Sequence, residues 1–222
     1  MSYETGLSKN RIEALTDGVF AVVMTLLVLD ISVPQMSSDH MAAGGAAIGP
    51  ELLKRLLDLW PKILSFGISF MILAIYWMAH HRQFHYIKHS DRTLLWINII
   101  FLMATCLLPF STSLLGEYRE QQISIFVYGI NSIIIALLLC VQWWYATSHH
   151  SRLVDKNLDP IIKTTSLRRL VFGIIVYLIA IGISSAYIHL SIFLFALILI
   201  PAFLPNKIMH RVTFGGLSKN TE

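Results

Sequence analysis

The chain has 222 residues, of which 55% are hydrophobic and only 14% charged, with a formal net charge of +4. Soluble domains carry about 25% charged residues, and the mean hydropathy here is +0.65. A bilayer core needs roughly 20 apolar residues per helix, so six spans would consume more than half of the chain and exclude a large soluble enzyme module.

The net charge does not point to nucleic acid, because the basic residues border the apolar runs, the pattern that orients membrane proteins. Cys106 and Cys140 both fall inside apolar runs and read as small packing residues rather than a disulfide framework.

The first apolar run covers residues 15–33. Arg11, Glu13 and Asp17 interrupt its start, so it reads as a retained helix rather than a cleaved signal. An Ala/Gly-rich stretch (40–50) and an amphipathic segment (51–62) follow. Further apolar runs occupy 63–80, 94–115 and 123–146. Residues 170–205 form a long apolar stretch that would measure about 54 Å as one helix, too long for one crossing. It therefore reads as a hairpin turning near 185–190. The expected fold is all-α: a single six-helix membrane bundle with helices at about 12–33, 60–88, 92–115, 122–147, 166–187 and 190–206.

With the N-terminus inside, thirteen of the seventeen Lys and Arg residues fall on inner segments, and only Lys54, Arg55, Lys62 and Arg119 fall outside. The positive-inside rule then predicts both termini in the cytoplasm. No internal repeat of the six-helix unit is visible, so any symmetry must come from several chains.

The first helix holds the most chemistry. A carboxylate at the inner edge of an apolar helix is costly unless paired or wet, which singles out Asp17. Beyond it no charge occurs until Asp30. Val22, Thr25, Leu26 and Leu29 share a helical stripe that Asp30 continues. Several copies packed around an axis would stack aliphatic rings, one ring of hydroxyls and an acidic outer mouth, features that favour cations and dewetting gates. Lipid-facing or bundle-packing residues would give the same periodicity, so spacing leaves both readings open.

At the inner end of the second span, YWMAHHRQFHYIKH places Trp77, His80, His81 and Phe84 on one face. An aromatic belt explains part of this. His81, His85 and His89 are spaced for a metal, but no carboxylate or Cys ligand accompanies them, and head-group contact is the plainer reading. Trp77 and His80 also have donors to offer Asp17 across the helix interface. Asn98, near the inner end of the third span, is a helix-gluing amide, and Pro109 bends or ends that helix. Asn131 and Ser132 lie mid-span in the fourth helix, and His149–His150 reads as a solvated loop. A TVGYG-like filter, an Arg-rich voltage sensor, a Gly-rich phosphate loop and H-E-x-x-H are all absent from the sequence, which removes the conventional potassium channel as a template.

The segment Arg11-Ile12-Glu13-Ala14-Leu15-Thr16-Asp17 resembles the Arg-x-x-x-Phe-Ser-Asp signature of the lysosomal potassium channel family (transmembrane protein 175), with Leu15 for Phe and Thr16 for Ser. Trp77-x-x-His80 with Arg82 and Phe84, Leu95-Trp96-Ile97-Asn98, and Leu108-Pro109-Phe110 extend the resemblance, which is to the prokaryotic branch. It implies a homotetramer of six-helix subunits whose first helices line a central pore without a filter loop. Counted from Asp17, the family's constriction falls on Val22, its Thr layer on Thr25 and further apolar layers on Leu26 and Leu29. Val22 is smaller than the family's Ile, which shifts attention to Leu26 or Leu29 as the narrowest ring. An inner hydrogen-bonded brace is implied at Arg11, Thr16, Asp17, Trp77, His80 and Asn98. The expected function is passive potassium-permeable cation flux across the plasma membrane. The expected partners are other copies of the chain, lipid and monovalent cations, with no enzyme activity, cofactor, resident metal or nucleic acid. A proton-coupled secondary transporter using Asp17 and His80 is the alternative. Such proteins usually show internal repeats and discontinuous helices, neither of which is visible here.

Overall fold

A computed structural model describes residues 8–35, 48–148, 153–155 and 158–199. These form helices α1 (Lys9–Leu26, tightening into a 3₁₀ turn at Leu27–Asp30), α2 (Ile48–Asp58), α3 (Trp60–Tyr86), α4 (Arg92–Cys106), α5 (Leu108–Glu117), α6 (Gln122–Thr147), α7 (Pro160–Ile183) and α8 (Ile188–Leu197). Among the described residues, five stretches are long and apolar enough to cross a membrane: 9–30, 48–86, 92–117, 122–147 and 160–183. The shorter apolar helix α8 follows α7 after a turn at 184–187. Beyond Leu199 the expected last span leaves the described residues, as do His149 and His150 and most of the Ala/Gly-rich stretch.

Two of the helices start on a carboxylate. Asp91 Oδ1 accepts from the Leu94 amide at 2.8 Å and caps α4, and Asp159 Oδ1 accepts from the Ile161 amide at 2.8 Å beside Pro160 at the start of α7. Both carboxylates satisfy amides that have no partner inside their own helix. Asp91 also accepts from the Tyr145 hydroxyl at 2.6 Å, tying the inner end of α6 to the same cap.

The expected 92–115 helix is broken at Leu107. Pro109 has no amide hydrogen, and its ring crowds the preceding turn, so the α-helical ladder cannot run through. In a bilayer the groups freed by a break must find protein partners. With its carboxamide oriented to satisfy both sides, Asn131 of α6 donates to the Ala104 carbonyl (3.1 Å) and accepts from the Leu108 amide (3.2 Å). The mid-membrane amide thus repairs the backbone of its neighbour.

Helix α6 is the hub. Half of its apolar window is buried, and it packs against α4, α5 and α7, while α1 and α5 pack on α3. Residues 3.6 apart face inward, as on α3, where Ile68, Ile72, Leu73, Tyr76 and Ala79 join the core. In contrast only 22% of α7's window is buried, and Val171, Phe172, Ile175, Leu178 and Ile179 face outward. Such a surface is ordinary against acyl chains and anomalous in water.

Helices α6 and α7 approach closely at Gly129, where an added Cβ would lie 2.7 Å from Ile181 Cδ1. Tyr128 and Tyr177 flank this point and both pack on Phe195 of α8, with ring centroids 5.1 and 5.4 Å apart. Gly129→Leu should therefore overpack the α6–α7–α8 contact and cost about 1–3 kcal/mol. The expected result is a lowered thermal midpoint in detergent, whereas Gly67→Leu, at a position with nothing within 4 Å of a Cβ, should leave the midpoint nearly unchanged.

Candidate functional site

Helix α1 has two chemically different faces. Ile12, Thr16, Phe20, Val23 and Leu27 recur at helical spacing and are buried. On the other side Val22 is 57% exposed, Leu26 43% and Leu29 72%, and Thr25 is exposed beside them. The Thr25 hydroxyl donates to the Val22 carbonyl at 2.7 Å. Its hydrogen is thereby turned back onto the helix, and its oxygen lone pairs remain for an outward partner, the orientation in which a hydroxyl can ligate a cation. Asp30 is half-buried at the end of the 3₁₀ turn, within electrostatic reach of Lys62.

Helix α1 is held by side-chain hydrogen bonds from α3 and α4, and α6 is tied to it through Asn98. Trp77 Nε1 of α3 donates to Asp17 Oδ1 at 2.8 Å. Asn98 Nδ2 of α4 donates to Thr16 Oγ1 at 3.2 Å, while Asn98 Oδ1 meets His80 Nε2 of α3 at 2.9 Å and accepts from Gln142 Nε2 of α6 at 3.3 Å. Because the Asn98 nitrogen is spent on Thr16 and its oxygen can only accept, His80 must carry its hydrogen on Nε2. The imidazole lies between Phe84 (centroids 4.2 Å apart) and Phe101 (5.6 Å, rings nearly parallel), and Phe101 in turn meets Phe20 of α1 at 5.8 Å. Thr16, His80, Asn98 and Gln142 are all buried.

Of the residues singled out in the sequence, Trp77 meets Asp17, whereas His80 turns from Asp17 into the bundle and pairs with Asn98. Asp17 sits at the exposed edge of α1, and His80, almost a full turn beyond Trp77, is rotated toward the buried side. Arg11 is exposed and joins none of these bonds. Gln142 is a member that sequence reasoning missed. Its only signal is an amide in the apolar inner half of α6, next to Trp143 and Trp144. His81 stacks on Trp77 at 5.6 Å and His85 lies edge-on to Tyr86. Among the described residues no group of three His, Cys, Asp or Glu side chains is placed to hold a metal.

A second set of polar contacts runs from Tyr76, next to the brace, back to Ser69 toward the start of α3. Ser69 and Tyr128 hydroxyls meet at 3.0 Å, Thr112 donates to Ser69 at 2.9 Å, and Tyr76 donates to the Ser132 carbonyl at 2.9 Å. These bonds link α3, α5 and α6 and leave α1 out, so the inner brace is what orients α1.

The described residues form an all-helical, multi-pass membrane bundle with a polar-braced first helix, and comparison with known proteins supplies its class, that of ion channels. A family described as the endosomal/lysosomal potassium channel TMEM175 matches residues 11–109, from the Arg11 signature to the Pro109 break. The chain is 32% identical over 179 residues to a potassium channel of Streptomyces collinus, covering 78% of this chain and 81% of that protein. It is 34% identical over 192 residues to a potassium channel of Chamaesiphon minutus, covering 85% and 88%. A crystal structure described as a lysosomal potassium-selective channel TMEM175 homologue from Chamaesiphon minutus superposes with a TM-score of 0.71 at 31% identity, over 87% of this chain and 95% of that one. The chain belongs to the TMEM175 family.

Replacing Asn98 by Leu removes the common partner of Thr16, His80 and Gln142 and strands buried polar atoms. The expected cost is about 2–4 kcal/mol, set by the desolvation of unpaired groups, and is read as a lowered thermal midpoint of the purified protein. Thr16→Val removes one bond and should cost about 0.5–1.5 kcal/mol. Equal midpoints for the two variants would contradict Asn98 as the hub.

Proposed function

We propose that this chain is the pore-forming subunit of a potassium-permeable channel of the plasma membrane. Four copies surround a central pore lined by α1, and both termini lie in the cytoplasm. One observation carries the reading: Val22, Thr25, Leu26 and Leu29 are exposed together on α1 while the opposite face is fixed by the brace. An exposed apolar face interrupted by an outward hydroxyl oxygen suits an axis shared by several copies. Potassium would shed part of its hydration at rings of Val22, Leu26 and Leu29 and recover part of that cost from Thr25 oxygens. The names carried by the Streptomyces and Chamaesiphon relatives support potassium as the permeant ion. The charge pattern of Lys and Arg supports the orientation.

In this reading Thr16, Asp17, Trp77, His80 and Asn98 position α1 and do not touch the ion. Asp30 acts at the outer mouth by concentrating cations, an effect that salt screens.

Reversal potentials in proteoliposomes under potassium–sodium gradients test the assignment. Val22→Ala, Leu26→Ala and Leu29→Ala should each raise potassium flux or lower selectivity, and the narrowest ring should give the largest change. Thr25→Val should cut the potassium-to-sodium permeability ratio by roughly fivefold, about 1 kcal/mol. If all four substitutions leave flux and selectivity unchanged, α1 does not line the pore. Saturable, proton-gradient-driven uptake would instead indicate a transporter.

Asp30→Asn should lower conductance in about 10 mM salt and match the wild type near 1 M, where the Debye length shrinks to about 3 Å. A loss that persists at high salt would place Asp30 in a structural role.

A further inference from the structure

A groove of about 290 Å³ lies between α3 and α8 at the end of the bundle where both helices begin. Its lining includes Trp60, Leu64, Ser65 and Ile68 from α3, Ile192, Phe193 and Ala196 from α8, His189 at the start of α8, and Arg119 from the link between α5 and α6. We propose that this groove binds one bilayer phospholipid, with the phosphodiester against Arg119 and His189 and an acyl chain along the cleft between α3 and α8. The proposal needs only the membrane and stands apart from the pore assignment.

The chemistry of the lining is graded in the manner of an amphiphile. Below the rim the walls are aliphatic and aromatic, and Ile68 and Ser65 form a floor only 7% exposed. From Trp60 to Ile68, and from His189 to Ala196, the walls run roughly 10–12 Å at 1.5 Å per residue, the depth of the outer part of an acyl chain. The rim carries a guanidinium and an imidazole, and Trp60 stands beside them as tryptophan does at a membrane interface.

Arg119 is half-exposed, and its ion pair with Glu120 is long, at 3.8 Å. Such a surface pair is weak, and the guanidinium retains further N–H donors for a phosphate. Lys62, two residues beyond Trp60 on α3, is held by Glu117 across the helix interface at 2.5 Å, and among the described residues that line the groove Arg119 and His189 are the basic side chains. A helix from a second copy would cover these two donors without satisfying them unless it brought its own carboxylate to this level. A phosphodiester supplies the anion and the apolar chain together.

The full-length protein, reconstituted in vesicles of phosphatidylcholine with about one-fifth phosphatidylglycerol, is extracted in mild detergent and its retained phospholipid counted by native mass spectrometry. Wild type should retain about one phospholipid per subunit. Arg119→Gln and His189→Gln should each lower occupancy, by roughly fivefold for the arginine. Ala196→Phe, which fills the cleft without altering charge, should lower it as well. Lys54→Gln, a cation on α2 outside the groove, should retain lipid as the wild type does. Unchanged retention in the Arg119→Gln/His189→Gln double variant overturns the proposal, as does a loss in Lys54→Gln equal to that in Arg119→Gln. So does a Phe193→Cys variant, in a chain with Cys106 and Cys140 replaced by Ala, that crosslinks fully between subunits, which would assign the groove to a second copy. Elution of each variant as the wild-type assembly confirms that lipid loss is not unfolding, and if Arg119→Gln fails to assemble, Ala196→Phe decides.

Discussion

A carboxamide buried in a membrane has no water to fall back on, so Asn98 must satisfy both of its polar atoms on neighbouring helices. Those two atoms serve three side chains from three helices, Thr16, His80 and Gln142. Because the nitrogen can only donate and the oxygen can only accept, one orientation of the amide sets the others. It fixes which nitrogen of His80 carries hydrogen, holds the imidazole between Phe84 and Phe101, and draws the hydroxyl of Thr16 inward. Apolar contacts alone would allow α1 to rotate or slide with little penalty, since acyl chains solvate Val and Leu as well as a protein core does. Directional bonds remove that freedom.

Because the brace grips α1 through Thr16 and Asp17 near its inner end, it determines what the rest of the helix presents. Thr16, Phe20, Val23 and Leu27 follow each other inward, so Val22, Thr25, Leu26 and Leu29 are turned outward by the same rotation. A change in the brace reaches the outward face only by turning or tilting α1. In the proposed channel, permeation and bracing are thus separate tasks assigned to opposite faces of one helix, and damage to one should have a different signature from damage to the other.

Much of this was legible because hydropathy and helical periodicity are local properties. The apolar runs, the two faces of α1 and the need of Asp17 for a partner such as Trp77 all come from neighbouring residues. The remainder depends on what another helix brings. Asn131 reads as generic interhelical glue until the break at Leu107 exposes Ala104 and Leu108 beside it. Pro109 marks that break, but the proline disturbs the turn before it, so the boundary falls earlier than the proline itself. Gln142 sits beside two tryptophans, and nothing in its neighbours shows that its side chain meets Asn98 of another helix. The 3₁₀ ending of α1 falls within Leu27, Val28, Leu29 and Asp30, where nothing in the residue types distinguishes it from continued α-helix.

Exposed apolar surface in this bundle has two possible neighbours, lipid or another copy of the chain, and composition separates them. Between residues 171 and 179 the outward face of α7 carries bulky apolar side chains: Val171, Phe172, Ile175, Leu178 and Ile179. That surface suits mobile acyl chains, which need no complementary shape. The outward face of α1 is interrupted by Gly18, where a Cβ would meet nothing within 4 Å, by Thr25, and by Arg11 and Asp17 toward the inner end. A hydroxyl oxygen and two charges directed at hydrocarbon would carry a desolvation cost with no return. Directed at an axis shared by several copies, as in the proposed channel, Thr25 meets the passing ion, and Arg11 and Asp17 meet water at the inner end. In the proposed channel the Thr25 oxygen on the outward face of α1, which has no counterpart among the exposed residues of α7 between 171 and 179, favours α1 as the helix facing the axis.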